Sequence, residues 1–187
     1  MIFWITHILA AGFLLVEIYL LAVRRCHDPK QQSDRGTLRL VWILIGSGCL
    51  FGFLVAPKVT ALRWPDSLRT VLLADLLLIA GIVLRIWAVV HLGRFFTVNV
   101  AIQEGQHVVQ DGPYRFVRHP SYTGSILALA GLACLTFNWL GFVVILACSL
   151  TAYSLRIAVE ERALEQNLGE EYRQYAGHTK RLIPGIF

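Results

Sequence analysis

Arg118, His119 and Pro120 stand where a polar loop gives way to an apolar run, and that position has chemical consequences. Proline is favoured in the first turn of a helix, because the N–H it lacks would have gone unpaired there. A helix beginning at Pro120 directs its first amides toward Arg118, His119 and Tyr114. The expected result is a cationic pocket closed by a helix N-terminus, a setting suited to an anion. The surrounding stretch, GQHVVQDGPYRFVRHPSYTG over residues 105–124, gathers Gly, Pro, Tyr, Arg and His between blocks that are almost continuously apolar. A polar loop beside membrane helices is where function is expected. Glu160 and Glu161 follow about forty positions later, and they can reach the same pocket only if the chain doubles back.

The elements that must position these residues are membrane helices. Hydrophobic residues make up 56% of the 187 positions and charged residues 16%, with a mean hydropathy of +0.60. That is one domain's length and too apolar for an ordinary soluble chain, so the expectation is a single all-α integral membrane domain over 1–187. The net charge of +5 comes from basic residues in short loops between apolar runs, which fits membrane orientation and not nucleic-acid binding. Cys26, Cys49, Cys134 and Cys148 have neither CxxC nor zinc-type spacing; no metal is expected, and the cysteines read as small buried hydrophobes.

Residues 2–23 are apolar except for His7 and Glu17, long enough to span a core that needs about 20 helical residues. They read as a span and not a cleaved leader, since no basic stretch precedes them and they run into Arg24 and Arg25. His7 and Glu17 are expected to face other helices or headgroups. A basic loop over 24–39 leads to a second span, 38–55, in which Gly48 and Gly52 form a GxxxG pair able to serve an internal contact or a dimer. A loop at 57–69, with Trp64 as interfacial anchor, precedes a third span at 71–90. Asp75 and Arg85 there lie about 15 Å apart along a helix, too far to pair. Arg85 is expected either to reach the interface or to face inward.

Residues 121–137 and 139–157 are apolar and separated only by Asn138, which forces an antiparallel hairpin as the last two of about five spans. The final helix should continue past the hydrocarbon into Glu160, Glu161, Arg162 and Glu165 and stop at Gly169. Its polar extension and the central loop then share one side of the membrane. Counting basic residues puts that side in the cytoplasm, with the N-terminus outside.

The runs LGRFFT at 92–97, GPYR at 112–115, RHPSYTG at 118–124, Glu160-Glu161, GEEY at 169–172, Tyr175 and RLIPG at 181–185 together resemble the isoprenylcysteine carboxyl methyltransferase family. The resemblance covers roughly residues 80–187; residues 1–70 match only as generic membrane helices. It implies S-adenosylmethionine as methyl donor on the cytoplasmic side and a lipophilic acceptor arriving from the bilayer, with no nucleic acid or metal involved. Methyl transfer from a sulfonium is an in-line displacement, so the protein's task is near-attack geometry and exclusion of water. A carboxylate acceptor is already ionised near neutral pH and needs a cation to orient it rather than a base.

On that resemblance, the amides after Pro120, with His119 and Arg118, are assigned to the donor's carboxylate. Glu160 or Glu161 takes its ribose hydroxyls or ammonium, and Tyr114, Tyr122 and the backbone of 108–112, including Val108, Val109 and Gly112, line the adenine side. Glu171 and Arg181 are assigned to the acceptor, with Arg173, His178 and Lys180 as rivals. Tyr172 and Tyr175 are read as packing residues that dock the tail. Other readings remain open: methylation of another lipid-like carboxylate, phenol or amine; a sterol-reductase-like enzyme using NADPH; and a non-enzymatic membrane scaffold or transporter, disfavoured because the polar groups gather at one face and not at mid-membrane.

Overall fold

A computed structural model of the chain describes residues 2–23 and 36–185; Cys26 and most of the basic loop expected at 24–39 lie outside the described residues. The described residues form five α-helices: α1 (Ile2–Val23), α2 (Thr37–Leu54), α3 (Leu68–Leu92), α4 (Pro120–Cys134) and α5 (Trp139–His178). This is a multi-pass membrane protein. Four of the described helices are long and apolar enough to cross a bilayer. The remaining helix, α4, has 15 residues and spans about 22 Å, less than the roughly 30 Å hydrocarbon core.

Length matters less for α4 because it is buried against α3. The two meet at paired glycines: a Cβ on Gly81 would lie 2.4 Å from the Ala128 nitrogen, and one on Gly124 would lie 2.7 Å from the Arg85 nitrogen. Backbones this close need residues without side chains at the crossing. Gly48 and Gly52 serve an internal contact of the same kind, since added Cβ atoms would come within 2.9 Å of Cys148 and 2.6 Å of Ile145 on α5. Helix α1 packs on α3, and α2 on α5. Cys49, Cys134 and Cys148 are free thiols.

The hairpin turns as the sequence requires. Thr136 Oγ1 donates to the Ala133 carbonyl at 2.8 Å, ending α4 three residues short of the expected boundary. Asn138, fully buried, accepts from the Leu140 N–H at 2.9 Å to cap α5 and donates to the Val59 carbonyl at 3.0 Å. That second bond fastens the turn to the loop before α3, where Trp64 and Trp139 pack edge to face with ring centroids 4.7 Å apart.

At the other end, α5 does not stop at Gly169. Gly169 adopts φ 57° and ψ −124°, a left-handed break that glycine tolerates, and the helix resumes to His178. The break redirects the chain, so the tail runs beside the central loop: the Arg118 N–H donates to the Lys180 carbonyl at 2.7 Å and the His119 N–H to the Arg181 carbonyl at 3.0 Å. Central loop and polar extension therefore share one side of the bundle, as expected.

Candidate active site

Helix α4 starts with Pro120 at its N-terminus, and the preceding His119 makes no side-chain capping bond, so the first-turn N–H groups have no side-chain cap. What the side chains around this helix start do instead is bind the start of α4 to the extension of α5. Tyr122 donates its hydroxyl to Glu160 at 2.6 Å. Its ring stacks between His119, 5.6 Å away, and Tyr153, 5.0 Å away. Glu161, the next residue, points to different partners: Arg118 at 2.9 Å, His119 Nε2 at 3.3 Å and Arg181 at 2.8–2.9 Å. Arg118 also donates to the carbonyls of Ala176 and Thr179. Glu161 is thus the knot that ties helix start to tail, and Glu160 is the carboxylate turned toward open space.

That space is a cavity of about 840 Å³, its open mouth included, roofed by residues 95–109 and floored by α4 and α5. Val108, Val109, Tyr114, Arg118, His119, Tyr122 and Glu160 line it. Pro120, Gly112, Glu161, Glu171 and Arg181 are not in its lining and support it from behind. The Glu171 carboxylate accepts from the Val108 N–H at 3.1 Å, holding the roof segment onto the helix extension. Gly112 sits at φ 55° against the ring of His91, where a Cβ would come within 2.6 Å. Arg181 is held by Glu161, a hydrogen bond that raises its pKa further, and its side chain is 43% exposed. Of the rivals for Arg181's assigned role, Arg173 pairs at the surface with Glu165 at 3.0 Å and Glu170 at 3.4 Å.

Tyr114 closes the end nearest α3. Its hydroxyl donates to the Ala88 carbonyl at 3.2 Å while its own carbonyl accepts from Tyr175 at 2.6 Å. Burial, reinforced by the charge of Glu160, pushes this phenol above its ordinary pKa, so it stays a neutral donor.

Sequence reasoning missed part of the lining. Asn99, Gln106, Leu164 and Leu168 also face the cavity, as do Tyr172 and Tyr175. The tyrosines do dock the tail, but Tyr172 Oη and Asn99 Oδ1 are also buried without a hydrogen-bond partner. A buried polar atom left without a partner costs about 1–3 kcal/mol, and a ligand with hydroxyls or ring nitrogens would meet that need. The spacing of 164, 168, 172 and 175 was the available signal, since a regular stripe on a helix beyond the membrane must cover something.

A second cavity, of about 1180 Å³, lies within the membrane-spanning part between α1 and α2, with Leu129 and Leu132 of α4 at its back. Its lining is apolar except at one end, where Glu17, Arg85, Tyr122 and Arg156 meet. Arg156, 2% exposed, donates to Thr37 Oγ1 at 2.6 Å and to the Val98 carbonyl. The two cavities share Phe96, Thr97 and Tyr122 as a common wall. Arg85 faces inward: it is buried and pairs with Glu17 at 2.5 Å.

The model of the isoprenylcysteine carboxyl methyltransferase family matches residues 72–166. A probable protein-S-isoprenylcysteine O-methyltransferase of Oryza sativa subsp. indica is 37% identical over 112 residues, 59% of this chain and 59% of that protein. The protein-S-isoprenylcysteine O-methyltransferase of Schizosaccharomyces pombe is 30% identical over 93% of this chain and 80% of its own length. The chain thus spans little more than half the length of the plant relative. A solved structure of a eukaryotic intramembrane Ras methyltransferase shares the fold with a TM-score of 0.56, at 24% identity over 86% of this chain and 54% of that one.

Proposed function

The chain belongs to the isoprenylcysteine carboxyl methyltransferase family, and from that premise we propose that it methylates the carboxylate of a prenylcysteine-like acceptor using S-adenosylmethionine. One observation carries the reading: a polar cavity built from the RHPSYTG motif and an apolar cavity within the membrane part meet at one wall of Phe96, Thr97 and Tyr122. A water-soluble donor and a lipid acceptor have to meet at such a boundary.

The residues present fit the donor. The first-turn amides of α4 suit its carboxylate, Glu160 suits its ammonium or ribose hydroxyls, and the orphaned Tyr172 and Asn99 oxygens suit the remaining hydroxyls and ring nitrogens. When bound, the donor supplies an activated methyl group on a sulfonium. The protein contributes geometry: Glu161, with Arg118, His119 and Arg181, fixes the helix start, and Glu171 holds the roof. The apolar cavity takes the prenyl chain and keeps water from the acceptor carboxylate. Arg156, at the polar end of that cavity, orients the carboxylate, while Arg181 and Glu171 position the tail and roof around it. Under the positive-inside rule the polar cavity opens to the cytoplasm and the N-terminus lies outside.

The test is to incubate the purified chain with methyl-labelled donor and either a farnesylcysteine analogue or extracted membrane lipids. Label that appears on the analogue and is released by mild base identifies a carboxyl methyl ester. Base-stable label on a lipid would identify a phenol or amine acceptor. Absence of label together with saturable binding of NADPH would replace the reading with a reductase.

A further inference from the structure

We propose that Glu17 is a positioning residue for the acceptor side of the site, acting through Arg85 and Ser121; the inference rests on the reading of the apolar cavity as the acceptor site. Glu17 lies on α1, outside the stretch that matches the family model. A carboxylate on a membrane-spanning helix is costly and calls for a specific partner. Here both oxygens are engaged: Oε1 pairs with Arg85 Nε at 2.5 Å and Oε2 accepts from Arg85 Nη2 at 2.7 Å, while Ser125 Oγ donates to Oε1 at 3.5 Å. The remaining nitrogen of the same guanidinium, Nη1, donates to Ser121 Oγ at 2.8 Å and to the Ser121 carbonyl at 3.2 Å.

A planar guanidinium that hydrogen-bonds the carboxylate through Nη2, with Nε 2.5 Å from the other oxygen, has its orientation set by that carboxylate. Glu17 therefore decides where Arg85 directs Nη1, and Nη1 holds the first turn of α4. The residue after Ser121 is Tyr122, whose ring is the wall between the two cavities. Glu17 and Arg85 themselves line the acceptor cavity. Helix α1, on one side of that cavity, is thereby linked by two consecutive contacts and one peptide bond to the group that separates acceptor from donor.

Two simpler roles give different results on removal of the charge. If Glu17 acted only by repelling an anionic acceptor, Glu17→Gln would tighten acceptor binding. If it only anchored α1, donor and acceptor sites would weaken together as the fold loosened. Positioning of the wall predicts weaker acceptor use with the donor site intact.

The experiment compares wild type, Glu17→Gln and Glu17→Asp as full chains in nanodiscs. It reads acceptor KM with a farnesylcysteine analogue, affinity for S-adenosylhomocysteine by calorimetry, and hydrogen exchange of the amides at 121–124. Loss of charge-assisted bonds raises the acceptor KM about tenfold in Glu17→Gln, with donor-analogue affinity held within about twofold. Exchange at 121–124 accelerates, and Glu17→Asp recovers most of both effects. An unchanged or lowered KM, unchanged exchange, or parallel loss of S-adenosylhomocysteine binding overturns the proposal. If wild type leaves the analogue unmethylated, the substrate reading falls by itself, and the exchange comparison alone decides the linkage: acceleration upholds it and no change overturns it.

Discussion

The amide of His119 donates to the carbonyl of Arg181 at 3.0 Å, so the residue that opens α4 and a residue of the C-terminal tail are neighbours in one short parallel pairing. That pairing places Arg181 within reach of Glu161, 2.8 Å away. The consequences can be measured residue by residue.

Glu161→Gln removes the carboxylate shared by Arg118, His119 and Arg181. With its side chain only 13% exposed, breaking the cluster leaves cations facing one another in a partly desolvated site, at a cost of about 3 kcal/mol. Thermal unfolding in detergent should show a clear drop in Tm, and S-adenosylhomocysteine affinity should fall with it. An unchanged Tm would mean that the tail is held by other contacts.

Glu160→Gln is expected to behave differently. Its carboxylate faces the cavity and accepts from Tyr122, so stability should change little while S-adenosylhomocysteine binding weakens about tenfold or more, the worth of a charged hydrogen bond. Calorimetry on the two variants side by side separates the supporting glutamate from the binding one; equal effects on Tm and affinity in both would erase the distinction.

Tyr172→Phe deletes an oxygen that has no hydrogen-bond partner among the described residues. Removing an unsatisfied buried hydroxyl should leave Tm unchanged or slightly raised. If the hydroxyl serves the donor, affinity for S-adenosylhomocysteine falls about fivefold, corresponding to roughly 1 kcal/mol. A variant that binds as tightly as wild type would return Tyr172 to a packing role.

Gly81→Ala tests the α3–α4 crossing. The new methyl would meet the backbone of Ala128 at 2.4 Å and of Gly124 at 2.5 Å, and since backbone cannot step aside as a flexible side chain can, the helices must separate. A loss of about 2–3 kcal/mol is expected, read as lowered Tm. Donor affinity should fall too, because separating the helices displaces the whole of α4, whose first turn lines the donor cavity. Wild-type stability would show that the bundle absorbs the added volume.

Much of the fold was legible before any coordinates. The first span, 2–23, coincides with α1, and the hairpin forced by Asn138 is present. These features depend on hydropathy over some 20 consecutive residues and on local turn chemistry, both of which are properties of short segments. Gly169 was legible as a break but not as a bend from which the helix resumes, because whether the chain continues depends on what the following residues pack against. There, Tyr172 and Tyr175 are buried against the loop.

By itself the sequence determined an all-helical membrane chain, its hairpin, and a polar motif facing a polar helix extension. Tertiary structure alone decided which of two adjacent glutamates faces the cavity, because neighbours on a helix point about 100° apart and only the position of Tyr122 and Arg118 chooses between them. It also decided that Glu17 meets Arg85, a pair separated by 68 positions. Contacts over such distances follow from how whole helices pack, and no local pattern of residue types encodes them.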